Sequence, residues 1–369
     1  MSACVCAPAS FGWDLGGKML LRIDPLWARV AGRLGGNRSP RDVAVETVEL
    51  APAIVRPSPA AIALPGEFDR VIQFQHETSP EHELSRVSAG DRRHGATTAY
   101  RLKDVLLADG RIYYRGGYTN FRQTDYRRVL TGPMEHIMQA ALTTSSVAER
   151  YFGHWLCDAL LMEQLAAQRG LPALTFERRA WSHEPGYRAA LGLDATKVRQ
   201  ATVGDLWLFD DVGLNDGMVE RLQALRGRIA ARRPAEGPSH VFMRRGAMGT
   251  ARVLTNQQAI EDALAQRGFT IIDPEQMAVD ALIATLSHAR TVVLVEGSAQ
   301  SHVIHTMRKG GVALTIQPPR RFNAVLKPYA DALGFHWAYA VADDAENGFT
   351  MPVDRLLRTM DLAETAAGA

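Results

Sequence analysis

The chain predicts an α/β protein with two domains, and three observations carry the prediction. Strand-like and helix-like stretches alternate between residues 240 and 318, the pattern of a parallel sheet with crossover helices. An Asp109-Gly110 pair between two apolar runs marks an antiparallel hairpin in the first half. The length, 369 residues, exceeds what one domain ordinarily holds, so two domains with extensions are expected.

In chain order, residues 1–66 mix short apolar stretches with Pro, Gly and Ser, as in Pro57-Ser58-Pro59, and predict an irregular arm with one helix near 25–34. Residues 68–74 alternate weakly and predict a strand. Runs at 100–107 and 111–114 are the arms of the hairpin. From about Val147 the pattern turns helical: Phe152, Trp155, Leu156, Ala159, Leu160, Met162 and Leu165 recur at three- and four-residue steps until Gly170 and Pro172. The stretch 232–238, rich in Arg, Pro and Gly, is the expected domain boundary. An amino-terminal domain at 67–234 and a second at 239–325 follow, with 326–369 as a carboxyl-terminal segment whose packing back on the first domain is left open.

The second domain reads strand (240–243), helix, strand (269–273), helix (279–288), strand (291–295), glycine turn, helix, strand (312–316). Thr255 to Gln258 has capping-box spacing, and Gly268 stands where a left-handed helix cap belongs. The unbroken apolar run of 291–295 is that of a strand buried on both faces.

Net charge is +2, which argues neither for nucleic acid nor for a membrane surface as partner. Positive charge is almost all arginine, since lysine occurs only five times. The three cysteines, Cys4, Cys6 and Cys157, have no paired spacing and fit a reducing compartment. No apolar run approaches a membrane span, and the start lacks a signal-peptide pattern. A cytoplasmic protein is expected, with peripheral membrane contact through substrate or partners left open. Oligomeric state is not encoded in any recognisable pattern.

In a parallel sheet, ligands bind outside the carboxyl ends of the strands. Two candidate groups fall there. One is Glu296-Gly297-Ser298-Ala299-Gln300-Ser301-His302, a glycine turn opening a helix, whose amides and dipole suit phosphate oxygens. An ordinary strand-to-helix turn is the equal alternative, but Glu296, a carboxylate at the inner end of a central strand, costs desolvation and implies a task. The other is Arg244-Arg245, able to grip a diphosphate through charge-assisted bonds, with Arg252 close behind; a solvated pair is the alternative. A third candidate lies in the first domain: His154 and Asp158, four apart on one helix face at the edge of its apolar stripe. Such a pair serves general-base catalysis, or is a simple surface contact. Gly-x-Gly-x-x-Gly, P-loop, His-Glu-x-x-His, Gly-x-Ser-x-Gly and Asp-x-Asp patterns are missing from the sequence.

Together these residues resemble glycosyltransferase family 61, the group of bacterial capsular-polysaccharide enzymes and eukaryotic protein- and xylan-modifying transferases. The resemblance runs from about residue 151 to 318. It rests on His154, Trp155 and Asp158 spaced as His-Trp-x-x-Asp, on an arginine after a strand followed by Arg252 and Asn256, and on the glycine turn after the apolar strand. Glu296 stands where many members have His, His302 where they have Asn, and Tyr151 where Asn often precedes the first motif.

The resemblance implies a GT-B architecture, two Rossmann-like domains facing across a cleft, with a nucleotide-sugar donor on the carboxyl-terminal domain and a glycan or glycoconjugate acceptor on the other. It implies inverting transfer without a cofactor or an essential metal, in capsular or extracellular polysaccharide synthesis. Asp158, oriented by His154, is then the first choice of base and Glu296 the second. Arg244, Arg245, Arg252, Gly297, Ser298, Ala299, Gln300, Ser301 and His302 fall to the donor. A nucleotide-sugar epimerase of similar fold, or an inactive nucleotide- or sugar-binding module, stays open.

Overall fold

The computed structural model describes residues 36–122, 134–246 and 252–368. The expected helix at 25–34 and the pair Cys4 and Cys6 lie outside the described residues.

After a single helical turn (Pro40–Val43) come strands β1 (Glu46–Ala51) and β2 (Ile54–Ser58), then helix α1 (Pro80–Val87) and β3 (Gly90–His94), which pairs with β2. The segment expected to be irregular therefore carries two strands. In β1, Val48 and Leu50 alternate with polar residues and pack toward Ala99 and Trp207, a period of two that Pro57 and its neighbours obscured. The large mixed sheet adds β4 (Thr97–Ala108), β5 (Arg111–Tyr114), β6 (Gly117–Asn120), β7 (Glu135–Leu142), β8 (Ala173–Phe176), β9 (Thr196–Val198) and β10 (Gln200–Asp210). Their spatial order is β6-β5-β4-β10-β7-β8-β9, with β1 beside β4. Asp109 (φ 45°) and Gly110 (φ 86°) form the expected tight hairpin, both in the left-handed region.

Strands β10, β7, β8 and β9 run parallel. The crossover from β7 to β8 is helix α2, built of Phe152–His154, a wider π turn over Trp155–Ala159, and Leu160–Gln168. Helices α3 (Glu184–Leu191) and α4 (Asp216–Ala230) follow.

Past the 232–238 break, β11 (His240–Met243), α5 (Gln257–Gln266), β12 (Thr270–Ile272), α6 (Val279–Leu286), β13 (Thr291–Val295), α7 (Gln300–Thr306), β14 (Val312–Gln317), α8 (Leu326–Leu333) and β15 (His336–Val341) build an all-parallel sheet. Its order is β12-β11-β13-β14-β15. The order reverses between β11 and β13, and a crevice at their carboxyl ends is the usual ligand position in such sheets.

The capping box is not made. Thr255 Oγ1 instead pairs with Thr350 Oγ1 at 2.6 Å, in a hairpin of β16 (Asp343–Ala345) and β17 (Gly348–Thr350), and Asn256 stands at the cap with its side chain bonded to the Met351 backbone rather than to its own helix. The carboxyl-terminal segment completes the second sheet and also meets the first half, where Lys327 and Asp331 bond Ser58. β15 is the fifth strand, and α9 (Val353–Ala367) lays Leu356, Met360 and Ala363 on the face of Leu314 and Ala338.

The sheet's other face is covered by α6, α7 and α8, and the same apolar core continues into α2, α3 and α4 through Trp155, Leu156, Tyr187 and Leu222. One core thus joins the two halves. Residues 68–74 form no strand. Phe68 opens a short 3-10 turn, and Phe68 and Phe74 close on Phe322 with ring centroids 5.4 and 6.1 Å away. Aromatic packing against the second half overrides the weak alternation there. The whole stretch is a strap along the carboxyl-terminal half: Ile62 N–H donates to Trp337, Glu67 accepts from Val341 N–H at 2.7 Å, and buried Glu83 accepts from Ala324 N–H at 2.7 Å.

Candidate active site

Both halves offer the carboxyl ends of parallel strands to one cavity of about 710 Å³. The size suits a small-molecule ligand. From the second half come Arg245 after β11, Glu296 to Ser301 after β13, and Arg321 after β14; from the first come Phe152, Gly153 and His154 at the start of α2. The halves touch closely here, since a side-chain carbon on Gly153 would lie 3.5 Å from the Ser298 backbone.

Glu296 is the centre of the second half's contribution. The residue is only 3% exposed. Arg252 Nε lies 2.5 Å from its carboxylate and Arg321 Nε 3.9 Å, while Arg245 and Glu275 complete the charged group. Burial pushes the Glu296 carboxyl up despite the three guanidinium groups that pull it down. Burial likewise pulls Arg245 and Arg252 below the ordinary arginine range. Each of these groups is thus held against its solvation preference, and a buried charge cluster of that kind is weak support for stability. Its positive excess makes it a receptor for an anion.

Gly297 is required by the same packing. Its φ is 152°, and a side-chain carbon there would sit 2.9 Å from an Arg245 guanidinium nitrogen and 3.4 Å from one of Arg252. The helix start contributes less than its sequence suggests. The amides of Gln300, Ser301 and His302 already donate to the carbonyls of Gly297, Ser298 and Ala299, and Ser301 Oγ to Ser298 O at 2.6 Å.

His154 lines the cavity with its side chain 40% exposed, whereas Asp158 is 7% exposed and lies behind it. The ring Nδ1 donates to Asp158 Oδ2 at 2.7 Å, and Tyr329 Oη–H donates to Oδ1 at 3.2 Å. Both carboxylate oxygens are therefore occupied, and Nε2 is the nitrogen left to act. Burial would lower the His154 pKa, but the hydrogen bond and charge of Asp158 outweigh it and the net shift is upward. The π turn of α2 starts directly after His154, and such insertions recur at functional sites.

Two of the sequence candidates sit elsewhere. Arg244 turns away to grip Glu261 bidentately at 2.7 and 2.6 Å. His302 is buried behind the cavity, where it accepts from Tyr187 Oη–H at 2.6 Å; burial brings its pKa down to about 3, so it is neutral. Arg321, Tyr329 and Glu275 escaped sequence reasoning. Arg321 was within reach of it: Arg320-Arg321 follows β14 much as Arg244-Arg245 follows β11. In each pair the first arginine binds a carboxylate (Asp344 for Arg320) and the second enters the cavity.

Residues 152–314 match the family described as Glycosyltransferase 61. That segment is under half of the chain, and its match supports glycosyltransferase family 61. Its limits enclose His154, Asp158, Arg245, Arg252 and Glu296, while Arg321, Glu77, Arg86 and Arg150 of the cavity wall lie outside them.

No curated protein matches the chain. Among solved structures, a flavo di-iron protein variant from Thermotoga maritima is 12% identical with a TM-score of 0.26, covering 63% of this chain and 55% of that one. A second variant of it is 10% identical with a TM-score of 0.27, covering 75% and 66%. The flavodiiron protein of Giardia intestinalis is 10% identical with a TM-score of 0.22, covering 73% and 66%. The chain spans 55% to 66% of the length of these structures. The family region's fold rests on its own strand order. Among the described residues no helix is long and apolar enough to cross a membrane, and no cluster of three or more metal-ligating side chains forms.

Proposed function

We propose that this chain moves a sugar from a nucleotide-sugar donor to a hydroxyl of a glycan or glycoconjugate, with inversion, across a GT-B-like cleft. The observation that carries the reading is the facing of two groups over one cavity: Arg245, Arg252 and Arg321 around Glu296 on one side, the His154–Asp158 pair on the other. Inverting transfer needs both, a base for the acceptor and stabilisation of the departing diphosphate.

In this reading His154 Nε2 takes the proton of the acceptor hydroxyl as its oxygen attacks the anomeric carbon. The bond from that carbon to the diphosphate oxygen breaks, and its electron pair leaves with the diphosphate, whose charge the arginines receive. Asp158 holds the ring and balances the imidazolium. The role of base thus passes from Asp158 to His154, and Glu296 becomes the group that positions the guanidinium fan. The arginines fill the part that a divalent cation fills in other phosphoryl and glycosyl transfers. Family resemblance favours an acceptor of the capsular or extracellular polysaccharide kind, and the sparse, unpaired cysteines favour a cytoplasmic site of action.

The test is a panel of nucleotide sugars, with and without oligosaccharide acceptors, followed by release of nucleoside diphosphate and by the anomeric proton of the product. Release that is slow alone and faster with acceptor, with inverted configuration, is expected. Interconversion of the donor sugar, a retained configuration, or no turnover of any donor by a protein that binds nucleotide would overturn the proposal.

A further inference from the structure

The cavity has an arm that the transfer chemistry does not use. Phe152, Trp181 and His183 line it from the first half, Pro274 and Glu275 from the second. Phe152 lies 6.5 Å from Trp181 and 5.9 Å from His183, both edge-on. Arg178 covers the Trp181 ring at 5.1 Å, and His183 Nε2 contacts the Met277 carbonyl at 3.1 Å, which ties this loop of the first half to the end of β12.

Phe152 and His154 are two positions apart on a helix start, so they leave it about 200° apart. The aromatic arm and the base therefore open to different sides. The arm leads back to the guanidinium group through Gly246, where a side-chain carbon would lie 2.0 Å from the Glu275 carboxyl carbon.

Resting on the transfer reading above, we infer that this arm is the nucleoside subsite. The base stacks on the wall of Trp181, His183 and Phe152, and Glu275 accepts hydrogen bonds from the ribose hydroxyls. Planar aromatic side chains hold bases by stacking, and a carboxylate beyond a strand next to the switch point is well placed for a ribose diol. The donor then lies with base toward β12, diphosphate at the arginines and sugar toward His154. A loop of the first half, rather than the second domain alone, sets which donor is accepted.

Calorimetric titration of the full chain with nucleoside diphosphates and with inorganic pyrophosphate tests this. Trp181→Ala should weaken nucleoside diphosphates about 10- to 100-fold and leave pyrophosphate unchanged, with Trp181→Phe restoring most of the loss. Glu275→Gln should weaken ribonucleotides relative to their 2′,3′-dideoxy counterparts, which share only its effect on the guanidinium group. Unchanged nucleotide affinity in Trp181→Ala overturns the inference, as does an equal loss of pyrophosphate in both Trp181 variants. A rise confined to the acceptor KM gives the wall to the acceptor and overturns it too. If neither ligand binds the unaltered protein, the transfer reading falls with it; the other outcomes sink the inference alone.

Discussion

Replacing Arg252 by Met separates what the guanidinium cluster does for ligand from what it does for the fold. The Arg252–Glu296 pair is 2.5 Å apart with side chains only 8% and 5% exposed. Removing one partner of a buried pair costs about 3–5 kcal/mol. Arg321 and Arg245 remain near the carboxylate, so the low end, about 3 kcal/mol, is expected here. For a chain of this length melting as one unit, that lowers Tm by roughly 4 °C. Loss of one charge-assisted contact of about 1.5–3 kcal/mol weakens pyrophosphate about 10- to 150-fold.

Adding Glu296→Gln removes the stranded carboxylate. The double variant should regain most of the stability and none of the affinity. The pH dependence has a definite sign. Burial already raises the Glu296 pKa, and deleting a guanidinium raises it further. The Arg252→Met penalty is therefore present above that pKa and fades as pH falls through it toward the unfolded value. Scanning calorimetry across pH, paired with titration of pyrophosphate, reads both quantities. Unaltered pyrophosphate affinity in Arg252→Met, or affinity returning together with stability in the double variant, would refute the assignment of the anion site.

His154→Ala should reduce transfer about 10²- to 10⁴-fold while leaving nucleoside diphosphate affinity intact, as measured by steady-state rates and titration. Because Asp158 holds the His154 pKa up, the acid limb of the rate profile should lie above the ordinary histidine value of about 6.5; in Asp158→Asn it should move to lower pH as turnover falls. Gly297→Ala forces a side chain into a φ of 152° and against Arg245. It should cost about 1–3 kcal/mol in denaturant titration and weaken pyrophosphate binding.

Local patterns carried the second half well. Residues 291–295 form a strand buried on both faces, and Gly268 (φ 79°) is left-handed, both as composition and position demand. The Asp109-Gly110 hairpin was equally plain because its signal is contained in a few residues. What escaped was decided by partners distant in sequence. Thr255 meets Thr350 rather than its own helix, and Phe68 and Phe74 meet Phe322. At the site, helical spacing alone brought His154 and Asp158 together, but which of them faces the cavity depends on Tyr329 holding the carboxylate from the other half. Choosing between Arg244 and Arg245 depended on Glu261, seventeen positions away on a neighbouring helix.

The strap from the first half has a consequence for how the molecule is divided. Glu67 and Glu83, both inside it, supply acceptors to Val341 and Ala324 of the second half. An expressed fragment starting at residue 239 would leave those amides without their carboxylates and strip the cover from Phe322 and Trp337. The 232–238 break is a joint in the sequence pattern but not a place to cut. The two halves should melt in a single transition, and protease nicking within 59–89 should unfold the carboxyl-terminal sheet before it disturbs β4 to β10.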